Sequence, residues 1–67
     1  MQVTLHTRSF IPANFQQREG NTHWEVAAVD AQGNVLDGIV AWGIRKQKQA
    51  EKFMRELCAE RGWVIVN

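Results

Sequence analysis

Residues 23–42 read HWEVAAVDAQGNVLDGIVAW, and the fold turns on how this stretch is divided. His23 to Val29 is a β-favouring run, and Val35 to Trp42 is a second, rich in branched side chains. Between them, Asp30-Ala31-Gln32-Gly33 has turn chemistry. Asp is favoured at the first turn position, and Gly33 can take the left-handed conformation that a bulged hairpin needs. Asp37-Gly38 is a rival turn signal. With the reversal at Gly33, that pair marks a bulge or irregularity inside the second run.

On the N-terminal side, Gln2 to Arg8 alternates. Val3 and Leu5 point one way and Gln2, Thr4, His6 and Arg8 the other, the period of a half-buried strand. The segment Phe10-Ile11-Pro12-Ala13-Asn14-Phe15 breaks the pattern, and Pro12 disfavours a helix there. It either caps the open end of the core or presents an apolar contact patch. Gln16 to Thr22 is polar, with Gly20 and Asn21, and reads as a mobile loop.

On the C-terminal side, Ala50, Phe53, Met54, Leu57 and Cys58 recur at helical spacing, an apolar stripe of the right width for one buried face. Gly43 separates this helix from the preceding strand, and Gly62 sits where a left-handed cap belongs. Trp63-Val64-Ile65-Val66 either adds a fourth strand or tucks under the sheet. The order is β-β-β-α, with or without a last β. The expected fold is α+β: a three-stranded antiparallel sheet with one C-terminal amphipathic helix on one face, a single domain over residues 1–67.

Composition narrows the function. With 67 residues, 45% of them hydrophobic and 22% charged, the chain is an ordinary small globular domain. Its net charge of +1 excludes an acidic DNA mimic and a strongly basic histone-like protein. One cysteine makes no internal disulfide, and with two scattered histidines it makes no zinc site. No apolar run exceeds four residues, too few to span a membrane. MQVTLHTR at the start has no apolar signal core, so a mature cytoplasmic protein is expected, and the unpaired cysteine agrees with a reducing compartment. No catalytic constellation is visible. Cys58 lies on the apolar stripe, where cysteine behaves as a small hydrophobe. The expectation is a binding protein with no cofactor, not an enzyme.

Charge is uneven. Residues 1–43 hold Arg8 and Arg18 against Glu19, Glu25, Asp30 and Asp37. Residues 44–67 hold Arg45, Lys46, Lys48, Lys52, Arg55 and Arg61 against Glu51, Glu56 and Glu60. At 100° per residue, Arg45, Lys48, Lys52 and Arg55 gather on one stripe almost opposite the apolar face. Such a stripe either lies along a phosphate backbone or is a solvated helix surface braced by the pairs Glu51–Arg55 and Lys52–Glu56. Three tryptophans are a heavy load for so small a chain. A sheet covered on one face leaves its other face open for stacking bases, docking a partner or self-association.

The run Glu19-Gly20-Asn21-Thr22-His23-Trp24-Glu25-Val26, then Gly33-Asn34-Val35-Leu36, Gly43 and Lys46-Gln47-Lys48-Gln49-Ala50-Glu51, resembles the β-β-β-α part of double-stranded RNA-binding domains over residues 19–60. That family's first helix has no counterpart, and Gln47 and Glu51 stand where two of its lysines would be. The resemblance implies a minor-groove contact at His23 and a phosphate contact at Lys48, with Lys46 and Lys52 beside it. The same element order occurs in the arm-site DNA-binding domains of some tyrosine recombinases.

Two functions therefore stand. One is a nucleic-acid module for double-stranded RNA or DNA, using Arg18, His23, Arg45, Lys46, Lys48, Lys52 and Arg55. The other is a protein-interaction module, a small regulator or inhibitor, using Phe10, Phe15, Trp24 and Trp42. A homodimer is compatible with either.

Overall fold

A computed structural model describes residues 1–67. Strands β1 (Gln2–Phe10), β2 (His23–Val29) and β3 (Val35–Trp42) are followed by helix α1 (Gln47–Glu60) and a short strand β4 (Val64–Ile65). A 3-10 turn, Glu19–Asn21, lies between β1 and β2. The sheet order is β3-β2-β1-β4, with β1, β2 and β3 antiparallel and β4 joined to β1 in parallel. The α+β expectation holds, and the C-terminal segment does add a fourth strand.

The hairpin reverses at Gly33, whose φ is 87°. The Asp30 carboxylate builds this turn. Its Oδ1 accepts from Gln32 N and Asn34 N, both at 2.9 Å, and its Oδ2 accepts from Asn34 Nδ2 at 3.1 Å. The Asp37-Gly38 region is irregular, as the rival signal suggested. Ala28 pairs with Asp37 but Val29 pairs with Val35, so Leu36 is the extra residue of a bulge.

Strand β1 runs two residues past Arg8, because Phe10 takes its place opposite His23. The Gln16–Thr22 stretch, expected as a mobile loop, is instead tied down. Asn21 Nδ2 donates to Gln16 O at 2.8 Å, and Gln17 Nε2 to Pro12 O at 3.3 Å.

Helix α1 packs on one face of the sheet. Val3, Val26 and Ala28 meet Ala50, Met54 and Cys58, and all six are buried. Met54 is the largest, and burying such a side chain contributes about 1.5–3 kcal/mol. The buried line on the helix is narrower than the stripe in the sequence. Phe53 lies 46% exposed, because it sits about 100° around the helix from Met54. The helix ends in a Schellman motif, with Gly62 at φ 72°, Trp63 N donating to Cys58 O and Gly62 N to Ala59 O. Arg61 beside this cap reaches Asp37 at 2.9 Å, tying the helix end to the bulged strand.

Candidate nucleic-acid interface

The two connections at the Trp42 end of the sheet are bound to each other. Gly43 N donates to Thr22 O at 2.8 Å, and Trp42 Nε1 to Gly20 O at 3.2 Å. The β1–β2 connection, with Arg18 at the start of the 3-10 turn, therefore abuts the turn that leads into α1. Gly43 makes that close turn possible. Its φ of 136° suits glycine, and a Cβ there would come within 3.0 Å of the Lys46 stem.

The helix begins at Gln47, so Arg45 and Lys46 belong to the turn and not to a helical stripe. This corrects the expected four-residue helical stripe, because only Lys48, Lys52 and Arg55 are on helix. Relative to the buried line of Ala50, Met54 and Cys58, Lys52 lies almost opposite, as expected, while Lys48 and Arg55 lie toward the flanks. Lys46 caps the helix without a side-chain bond, and the first turn holds no acidic residue. Its orphan N–H groups and the positive end of the helix dipole thus add to the cationic character of this end.

Arg18, Arg45, Lys46, Lys48 and Lys52 are exposed, and none makes an ion pair. Arg55 does, reaching Glu51 at 3.6 Å. Glu51 also accepts from Gln47 Nε2 at 3.0 Å, so its charge is engaged on its own helix. The arrangement is a cationic end with exposed, unpaired ammonium and guanidinium groups, chemically able to hold phosphate oxygens.

His23 is elsewhere. It is 9% exposed, and its Nδ1 lies 2.8 Å from Asn21 O, so that nitrogen carries the hydrogen and donates it. Its ring stacks on Trp42 with centroids 5.3 Å apart and planes 14° from parallel. Phe10 packs at 5.6 Å and Phe15 stands edge-on at 5.1 Å. A groove contact by His23 is therefore not what the geometry offers. The cause is register: Phe10, His23 and Trp42 lie side by side across three strands on the face away from α1.

Trp24 also departs from expectation. It shares the parity of Val26 and Ala28, so it belongs to the helix-covered side, half-buried, with its indole Nε1 donating to Ile44 O at 3.1 Å. Of the aromatic contact set, Phe10, Phe15 and Trp42 come together on the open face, and Trp24 does not join them. Beside them on that face Arg8 pairs with Glu25 at 2.7 Å and lies over the Phe10 ring. The capping turn without an acid escaped the sequence reading, because no Ser, Thr, Asp or Asn marks where the helix starts.

Cys58 is 1% exposed in the core, and burial pushes its thiol pKa up, against a smaller opposing pull from Arg61. A depression of about 70 Å³ lies between Val3 on β1, Val29 and the turn that follows it, and Val66 just past β4, away from the cationic end. Comparison of the chain with known protein families, with curated proteins and with solved structures gives no match in any of the three.

Proposed function

We propose that this chain is a non-enzymatic binding module for double-stranded nucleic acid, gripping phosphates with Arg18, Arg45, Lys46, Lys48 and Lys52. The observation that carries this reading is the hydrogen-bonded convergence of two connections, which gathers unpaired basic residues from distant parts of the chain at one end. A helix start free of acidic residues adds to the same field. Each phosphate neutralised releases counterions, so affinity falls steeply with salt.

Titration of labelled chain with short duplex RNA and duplex DNA at two salt concentrations tests it. Resonance shifts at residues 18–22 and 43–52 that weaken at higher salt are expected. The double variant K48E/K52E should abolish binding and leave the circular dichroism spectrum intact, because both side chains are exposed. Binding unchanged in that variant sinks the reading.

A second reading, a protein partner on the open sheet face, draws on Val35, Val40 and Trp42, which are 67%, 53% and 57% exposed. A salt-tolerant complex lost in the variant W42A is its signature.

A further inference from the structure

The sheet has two unfinished edges, and they differ in length. On β1, Met1 O and Val3 O accept from Val64 N and Val66 N. The Asn67 side chain then stands in for one more peptide, accepting from Leu5 N at 3.0 Å and donating to Leu5 O at 2.8 Å. Only Thr7 and Ser9 remain open before the strand ends at Phe10. The β3 edge is longer. Antiparallel ladders alternate, and Gly43 N bonds Thr22 O, so Ile39 and Ala41 face β2 while Gly38, Val40 and Trp42 turn their peptide groups outward. Gly38 N is held by Asp37 Oδ1 at 2.8 Å. The other outward groups have no partner.

Exposed edges are commonly guarded by lysine, proline or an inward-pointing charge. None guards the stretch from Gly38 to Trp42. The one charged residue of β3, Asp37, is engaged by Arg61.

We propose that this edge is completed by a second copy of the chain, β3 pairing with β3 antiparallel about a two-fold axis at Val40. The register follows from the outward residues. With the axis at Val40, all three lie opposite outward residues within the regular part of the strand: Val40 faces Val40, and Trp42 faces Gly38. An axis at Ile39 sets Trp42 against the bulged Leu36, and one at Ala41 runs Gly38 past the end of β3. Gly38 has no side chain, so the half-exposed indole of Trp42 can lie across it, a large aromatic over a glycine on one face. Val40 N and O bond their symmetry mates, and Trp42 N bonds Gly38 O in both directions. The antiparallel arrangement also carries the Arg45–Lys46 turn of one copy past the Val35 end of the other, alongside its Asp30 turn, which is electrostatically complementary. One strand edge buries less than about 1,000 Å², so the dimer is weak and appears only at high concentration. It uses neither Lys48 nor Lys52, the two residues on which the nucleic-acid reading is tested, and stands apart from that test.

Sedimentation equilibrium from micromolar to millimolar chain tests it. A monomer–dimer equilibrium is expected, and V40K, which sets two ammonium groups face to face at the axis, should weaken it by at least about tenfold. Val40 is 53% exposed, so the variant keeps its fold by circular dichroism. On the unaltered chain, isotope-filtered NOEs between labelled and unlabelled copies should join the Trp42 indole to Gly38. A chain monomeric at every concentration, a V40K dimer of unchanged strength, or intermolecular NOEs confined to another surface would each overturn the proposal.

Discussion

The two faces of the sheet are stabilised by different kinds of side chain. Under the helix the fully buried contacts carry no aromatic ring: Val3, Val26 and Ala28 against Ala50, Met54 and Cys58, with Trp24 and Trp63 only half-buried at the margin. On the open face the packing is aromatic and confined to one end, where Phe10, Phe15, His23 and Trp42 surround each other. Small residues let the helix lie close, and close approach is what excludes water over the middle of the sheet. Aromatic rings without a covering layer gain area by stacking on one another, so one side stays wet and Trp42 remains 57% exposed. The first cluster holds the fold as a whole. The second fixes a connection, because the Trp42 indole also bonds Gly20 O across to the 3-10 turn.

The largest test of this division is Met54→Ala. A cavity under the helix should cost about 2–5 kcal/mol, a large share of what a domain this small has. Urea denaturation would read it as a lower midpoint. Trp42→Ala should cost less, about 1–2 kcal/mol, since over half of the residue is already in water. Its more telling effect is local. The His23 ring loses its stacking partner, and its NMR resonances should move while those of Met54 do not. Equal destabilisation by the two substitutions would erase the distinction between a global and a local cluster.

A smaller effect belongs to the turn that decides which residues go to which face. Strand side chains alternate, so a slip of one residue at this hairpin would turn Trp42 from the open face to the covered one and take it out of its cluster. The Asp30 carboxylate holds the turn, and the Asn34 backbone N–H, followed by a side-chain bond from Asn34 and backbone bonds from Gln32 and Gly33, keeps its pKa below the ordinary 3.8 despite a contrary effect of desolvation. A depressed folded pKa means stability that is present above the ordinary value and lost as pH falls through it toward the folded value. Acid titration of the melting temperature should show this loss, and Asp30→Asn should remove that part of it. An identical acid profile in the variant would place the pH sensitivity elsewhere.

Much of the architecture is legible in the residues. The bounds of β2 and β3 follow from the two runs flanking Asp30 to Gly33, and Gly62 marks the helix end by its cap. Which face each aromatic occupies is written more faintly. Trp24 has the parity of Val26 and Ala28, so its place on the covered side was available from alternation alone. His23 was harder, because its burial needs Phe10 inside β1, and Pro12 two residues later argues for an earlier strand end. Phe53 falls on a stripe that a wider helix contact would bury, and periodicity does not fix how far the helix rolls. The basic residues are the reverse case. Their number is obvious from the sequence, but that the connections carrying Arg18 and Arg45 are joined depends on hydrogen bonds that no local pattern encodes.

The parallel pairing of β1 with β4 has a mechanical consequence. Met1 lies at the start of one strand and Asn67 just past the end of the other, and the strands run in the same direction. Tension applied through these two residues would slide β1 along β4, not peel them apart. The bonds from Val64 and Val66 and the Asn67 amide on Leu5 would then share the load together. Pulled apart at His23 and Trp42, the open end of the hairpin, the β2–β3 ladder would instead open one bond at a time, so the domain should resist force strongly along one axis and weakly along another.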